Sequence, residues 1–220
     1  MNLDLELIER LGRLDTCAVS DVLDGLGLPS AAPGIHAVSG TGRPVAGRAI
    51  TVQVIPKRGD LPGKHIATEA LADARDGDVL VIDNGGRTDV SCWGGLLSLA
   101  ATARGVRGVV VDGACRDVAE ATELGFTVFA RAVVPTTARG RIVQATHGEP
   151  VTIGMVAVAT GDLVLADSNG VVFVPADRAA EVVAGAEALS RRERQMAEAI
   201  RSGTPVAEVM HDSRFKEASR

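Results

Sequence analysis

Gly94-Gly95-Leu96-Leu97 and, further along, Val109-Val110-Val111-Asp112-Gly113-Ala114-Cys115-Arg116-Asp117-Val118-Ala119-Glu120 form the stretch whose reading decides the fold. Twenty residues separate Gly95 from Arg116, about what one helix, a turn and one buried strand require. Upstream, Val79-Leu80-Val81-Ile82-Asp83 reads as a strand, and the loop after it ends at Gly94-Gly95, where Leu96 and Leu97 open a helix. Strand, helix and strand in this order predict a parallel βαβ core with two loops meeting at one edge of the sheet. The first N–H groups of the helix lack intrahelical acceptors and attract anions. The second loop brings the Arg116 guanidinium, the Asp117 carboxylate and, three residues on, the Glu120 carboxylate.

Working outward, Asp4 to Gly12 and Thr16 to Asp24 read as short helices, with Thr16 as the N-cap of the second and Gly25 and Gly27 stopping it. Leu28 to Gly42 holds Pro29, Pro33, Gly34 and Gly40 and reads as a loop. Gly47 to Ile55 is the first expected strand, and Lys64 to Arg75 the next helix. After the central unit come short strands at Phe126–Ala130, Val143–Ala145, Val151–Ala159, Leu163–Ala166 and Val171–Val174. Asp177 is expected to cap a long helix that runs to about Arg201, with Val182, Val183, Ala186, Leu189, Met196 and Ile200 on its apolar side. The whole of 1–220 reads as one α/β domain.

Composition narrows the function. A net charge of -5 and an aromatic fraction of 2%, with no Tyr, leave neither the basic footprint nor the stacking surface of a nucleic-acid binder. No apolar run approaches the ~20 residues of a membrane span. The first residues alternate in charge without an apolar leader, so a cytoplasmic location is expected. Cys17, Cys92 and Cys115 form no CxxC pair and suit reduced thiols. Cys115 adjoins Arg116, yet reads first as a small core residue. No Gly-x-Gly-x-x-Gly or Walker sequence is present, and His36, His65, His147 and His211 lack metal-ligand spacing. Lys57, Lys64 and Lys216 all lie outside apolar runs that would activate a Schiff-base amine.

Gly95, twenty residues, Arg116-Asp117, two residues and Glu120 resemble the signature of the divalent-metal-dependent pyruvate aldolases that cleave 4-hydroxy-4-methyl-2-oxoglutarate, a group that includes the RraA-like ribonuclease E inhibitors. Ser20-Asp21-Val22-Leu23, Gly47 to Val52, Gly77 to Asp83 and Gly161-Asp162 to Pro175 extend the resemblance over roughly residues 14–200. It implies an α-β-β-α sandwich similar to the phosphohistidine swivelling domain, with a long C-terminal helix, assembled as a trimer or a pair of trimers. It also implies Mg²⁺ or Mn²⁺ held by Asp117 directly and by Glu120 through water. Arg116 and the backbone at Gly94, Gly95, Leu96 and Leu97 would bind the carboxylate of a 2-oxo acid. Glu193, on the long helix of a neighbouring subunit, would join the water network. The implied reaction is aldol cleavage to pyruvate, with oxaloacetate decarboxylated through the same enolate; the alternative is a regulator that binds a ribonuclease without chemistry.

The same residues have plainer readings. Asp117-x-x-Glu120 before a helix is a capping box, Arg116 could pair on the surface with a neighbouring Asp, and Gly94-Gly95 could be a tight turn. Carboxylates alone suit Mg²⁺, which keeps several waters and takes one or two protein ligands. Arg116 offers a planar fork matched to a carboxylate.

Overall fold

The computed structural model describes residues 3–29, 31–59 and 64–211. In chain order its elements are α1 Leu3–Leu11, α2 Thr16–Gly25, β1 His36–Ser39, β2 Val45–Pro56, α3 Thr68–Asp73, β3 Val79–Trp93, α4 Gly95–Ala103, β4 Gly108–Cys115, α5 Val118–Glu123, β5 Thr127–Val133, β6 Ile142–His147, β7 Val151–Ile153, β8 Val156–Val158, β9 Leu163–Asp167, β10 Gly170–Val174, α6 Ala179–Arg201 and α7 Val206–Val209.

Strand alternation sorts the side chains into layers. On β3, Leu80 and Ile82 join one core while Val79 and Val81 face another, and β4 and β5 divide in the same way. On β9 and β10, Val164, Ala166, Val171 and Phe173 share that second core, whereas Leu163, Leu165, Val172 and Val174 face a third. The first core is closed by α3, α4 and α5, and the third by α1, α2 and α6. Two helical layers therefore enclose a sheet that folds over itself, as the α-β-β-α expectation requires.

The fold-over is made by β2, whose twelve residues serve both halves. Val45–Arg48 pair antiparallel with β9, Ala49–Gln53 pair parallel with β3, and Val52–Pro56 pair antiparallel with β6. The strand order is β1-β5-β4-β3-β2-β9-β10, and Ala31 bridges to Val172, so the ends of the path approach each other. β7 and β8 form a hairpin whose apolar side enters the central core.

Several boundaries differ from expectation for local reasons. Asp15, not Thr16, caps α2, accepting the Ala18 N–H at 2.8 Å, while the Thr16 hydroxyl donates to Asp167 at 2.7 Å. The 28–42 loop contains β1, a four-residue edge strand on β5 whose half-exposed side chains give no apolar signal. The 64–75 helix shrinks to Thr68–Asp73, because Lys64 bridges to Gln144 and Ala67 is left-handed at φ 62°. Asp177 lies in a 3-10 turn and makes no cap bond; the long helix starts at Ala179.

Candidate active site

The greatest surprise is the length of β3. After Asp83 the chain makes an excursion through Gly85 and Gly86, both left-handed, then returns to strand pairing. Ser91 lies opposite Ala114 and Trp93 opposite Cys115. Gly94 and Arg116 therefore leave adjacent parallel strands at the same level, and the Arg116 N–H donates to the Trp93 carbonyl at 3.0 Å. The two loops expected to meet do meet. Trp93 anchors the junction: it is buried, stacks on Phe126 with centroids 6.0 Å apart, and donates its indole N–H to Ser98 Oγ at 2.9 Å.

Asp117 resolves the capping question. Its φ of 56° and ψ of 39° are left-handed, a conformation Asp tolerates better than most residues but not that of an N-cap. It makes no cap bond to its own helix. Instead Asp117 Oδ2 crosses to the other loop and accepts the Gly95 N–H at 3.1 Å, with Arg116 Nε at 3.3 Å. The capping-box reading is thus corrected: the carboxylate closes the start of α4, not α5.

This crossing explains both glycines. Gly94 is extended at φ -161°, so it needs no left-handed freedom, but a Cβ there would stand 2.7 Å from Asp117 Oδ2. A Cβ on Gly95 would overlap the Glu120 carboxylate. The pair is small because two acidic side chains lie against it. Leu96 and Leu97 follow, and their N–H groups, in the first turn of α4, have no i−4 acceptor within the helix. The Leu96 side chain is 83% exposed beside the opening.

Gly94–Leu97, Arg116 and Asp117 form one wall of a cleft of about 490 Å³, floored by Ser91, Cys92 and Trp93. The opposite wall comes from a segment the sequence did not single out. After β5 the chain crosses the sheet edge: the Val134 N–H donates to the Cys115 carbonyl at 2.9 Å, and Thr136 O accepts the Ser91 N–H at 3.1 Å. Thr137–Gly140 then line the cleft together with Lys57, Lys64 and His65. No motif marks these residues; only the position of the Pro- and Gly-bearing connection between β5 and β6 points to them.

Asp112 has a different task. It is buried, paired with Arg131, and accepts the Gly154 N–H at 2.7 Å, so it ties β4 to the hairpin turn. Glu193 is exposed on α6, where its charge acts on Cys17 of α2. That places it in the outer helical layer, and within one chain it does not line the cleft. Burial, with Asp117 nearby, pushes the Cys115 thiol up to about 11, and burial raises Cys92 further. Neither is a nucleophile at neutral pH. Among the described residues no three His, Cys, Asp or Glu side chains gather as a metal cage.

The family model for RraA-like proteins, described as Aldolase/RraA, matches residues 16–173. The chain belongs to the RraA-like family. It is 31% identical over 206 residues to the protein DlpA of Legionella pneumophila, covering 94% of this chain but only 33% of DlpA. The chain thus spans about a third of the length of that relative. A Halalkalibacterium halodurans protein, named provisionally as a 4-hydroxy-4-methyl-2-oxoglutarate aldolase, is 32% identical, with 78% of each chain covered. Among solved structures, Streptomyces coelicolor RraAS2, described as an unusual member of the RNase ES inhibitor RraA protein family, superposes with a TM-score of 0.78 at 31% identity, covering 86% of this chain and 94% of RraAS2. Names within the RraA-like group therefore include both an aldolase and a ribonuclease inhibitor.

Proposed function

We propose that the cleft cleaves the C3–C4 bond of a 4-substituted 2-oxo acid, such as 4-hydroxy-4-methyl-2-oxoglutarate, to release pyruvate, and decarboxylates oxaloacetate by the same bond break. The observation that carries this reading is the convergence, in one cleft, of the Arg116 fork, the open N–H groups at the start of α4 and the Asp117 carboxylate. Arg116 and the N–H groups of Leu96 and Leu97 take the C1 carboxylate of the substrate by charge-assisted hydrogen bonds. Asp117, by holding the Gly95 N–H, fixes the helix start against the guanidinium, so the anion site is organised before substrate arrives.

A divalent cation suits the donors present. Asp117 Oδ1 makes no hydrogen bond among the described residues, and Glu120 lies next to it across Gly95, so two carboxylates stand where an ion that keeps most of its water needs only one or two protein ligands. Asp117 would hold such an ion directly and Glu120 through water; when bound, it stabilises negative charge on the 2-oxo oxygen. In aldol cleavage the C4 hydroxyl proton leaves as the C3–C4 electrons pass to the pyruvate fragment, and C3 later regains a proton. Both protons would pass through water near Glu120, joined by Glu193 of a neighbouring copy in a trimer or hexamer.

The test is pyruvate release, followed by coupled reduction to lactate, from 4-hydroxy-4-methyl-2-oxoglutarate and oxaloacetate with Mg²⁺ or Mn²⁺ and with EDTA. Release that EDTA abolishes and metal restores is the expected result, with no trapping of pyruvate by borohydride. Silence with every 2-oxo acid would leave the ribonuclease-inhibitor reading, which the likeness to RraAS2 favours. Light scattering tests the assembly, and a monomer would remove Glu193 from the chemistry.

A further inference from the structure

A second cavity, of about 440 Å³, opens at the other end of the sheet. β4 separates it from the cleft: Arg116 follows the last residue of that strand and Arg107 precedes the first. Strand rise over that stretch puts the two backbones roughly 30 Å apart. Three arginines line the second cavity from three segments, Arg13 after α1, Arg43 ahead of β2 and Arg107 between α4 and β4.

Ala46 is the point on which they converge. Its carbonyl accepts from Arg107 Nη1 at 2.8 Å, and its Cβ stands 3.4 Å from where a Cβ on Gly12 would be, with Arg13 next in the chain. The Val45 side chain comes within 3.2 Å of the Cβ position of Gly108, so the start of β2 lies against the start of β4 and brings Arg43 to the same cavity as Arg107. Glu9 is the one acidic residue of the lining. No ion pair joins Arg13, Arg43 or Arg107 to a carboxylate among the described residues. Arg13 acts at a distance on Glu187, which Arg10 already grips. Like charges around one concavity repel, and an anion between them removes the repulsion.

The number of forks selects the anion. A single guanidinium can meet both oxygens of a carboxylate. Three, arriving from three segments, suit a tetrahedral group with three terminal oxygens. A phosphate monoester has these, and its charge of about −2 balances three arginines less one glutamate. Ile8, Pro44 and Val45 give the cavity an apolar side against which a carbon skeleton can lie. We propose that this cavity binds the phosphate group of a phosphorylated small metabolite, at a site separate from the cleft. Binding there does not depend on which reaction the cleft performs.

The full chain is titrated by calorimetry, at low ionic strength, with ribose 5-phosphate, ribose, inorganic phosphate and succinate, a carboxylate of similar charge. Ribose 5-phosphate is expected to bind and ribose is not. Arg13 and Arg43 are exposed and their side chains make no hydrogen bond among the described residues, so the double variant Arg13→Gln, Arg43→Gln should keep its fold, which thermal melting checks. In it ribose 5-phosphate is expected to bind more weakly by about tenfold or more, the worth of lost charge-assisted contacts. Arg116→Lys, in the cleft, should leave that binding unchanged. Ribose 5-phosphate should also slow phenylglyoxal labelling of Arg13 and Arg43 in the wild type, read by peptide mass spectrometry.

No binding of ribose 5-phosphate, undiminished binding in the double variant, loss of binding in Arg116→Lys, or unprotected arginines overturns the proposal. Succinate bound as tightly as ribose 5-phosphate would make the cavity a carboxylate site and overturn it too. Inorganic phosphate bound as tightly would overturn the metabolite as ligand in favour of the free ion.

Discussion

Asp117 Oδ2 accepts the Gly95 N–H at 3.1 Å, so a carboxylate from the loop after β4 closes the first turn of the helix after β3. Asn can accept the same bond and tolerates the left-handed backbone at least as well. Asp117→Asn is therefore expected to stay folded, with stability changed by less than about 1 kcal/mol. It should lose metal-dependent pyruvate release, because the charge that attracts the cation is gone. Urea denaturation and the pyruvate assay together check this, and full activity in the variant would refute the metal role.

Gly95 is small because Glu120 lies where its Cβ would be. Gly95→Ala should displace the Glu120 carboxylate, whose side chain is exposed and free to swing, and leave the fold intact. Displacement of a reacting group by an ångström or more is worth roughly hundredfold in rate. Adding Glu120→Ala to Gly95→Ala should cost little more, since both changes act on one carboxylate. Losses in kcat/KM that simply multiply would show the two residues to be independent.

Arg116→Lys keeps the charge and removes the fork. If Arg116 grips the substrate carboxylate, kcat/KM should fall by an amount equivalent to about 1.5–3 kcal/mol. Unchanged kinetics would make Arg116 a structural partner of Asp117.

Cys115 adjoins Arg116 in sequence, but its thiol is buried and raised to about 11. At neutral pH the native protein should therefore resist alkylation at Cys115 and Cys92, with iodoacetamide reaching only the exposed Cys17, and slowly, because that thiol is raised too. Peptide mass spectrometry before and after unfolding reads the difference. Labelled Cys115 in the folded protein would contradict it.

Arg10 grips Glu187 through two bonds of 2.8 Å, tying α1 to α6. The hydrogen bond from Arg10 holds the Glu187 carboxyl below its ordinary value of 4.5. A depressed folded pKa means that the stabilisation is present above the unfolded value and is lost as pH falls through the folded one. Glu187→Gln should be slightly less stable than wild type at neutral pH, with the gap closing in acid below 4.5. A gap that stays constant across this range would show that the pair contributes nothing through charge.

The spacing from Gly95 to Arg116, Asp117 and Glu120 was legible because one helix and one strand between two loops leave little freedom in where the loops meet. The layers were not legible in the short apolar runs from Val79–Ile82 through Phe173, which suit several sandwiches; the α-β-β-α expectation came from the family resemblance. What stayed hidden depends on contacts distant in sequence. Ser91 and Trp93 resume strand pairing only because Ala114 and Cys115 are there to pair with. Asp117-x-x-Glu120 carries the letters of a capping box, and only the partner loop reveals that the carboxylate points elsewhere. Arg139 and Lys57 are eighty-two positions apart, and the crossing segment that brings them together has no periodicity to betray it.

That crossing segment is held at Thr136 by Ser91 and at Arg141 by Lys57, while Arg139 and Gly140 between these anchors are exposed. Gly140 is left-handed at φ 79°, a conformation that favours glycine, whereas the Arg139 side chain makes no hydrogen bond or ion pair among the described residues. The opposite wall, by contrast, is locked into the β3–β4 register and into Gly94 and Gly95, where a Cβ would push on Asp117 and Glu120. The molecule thus joins a wall whose backbone and carboxylates constrain one another to a wall on which Arg139 can be exchanged without disturbing that arrangement.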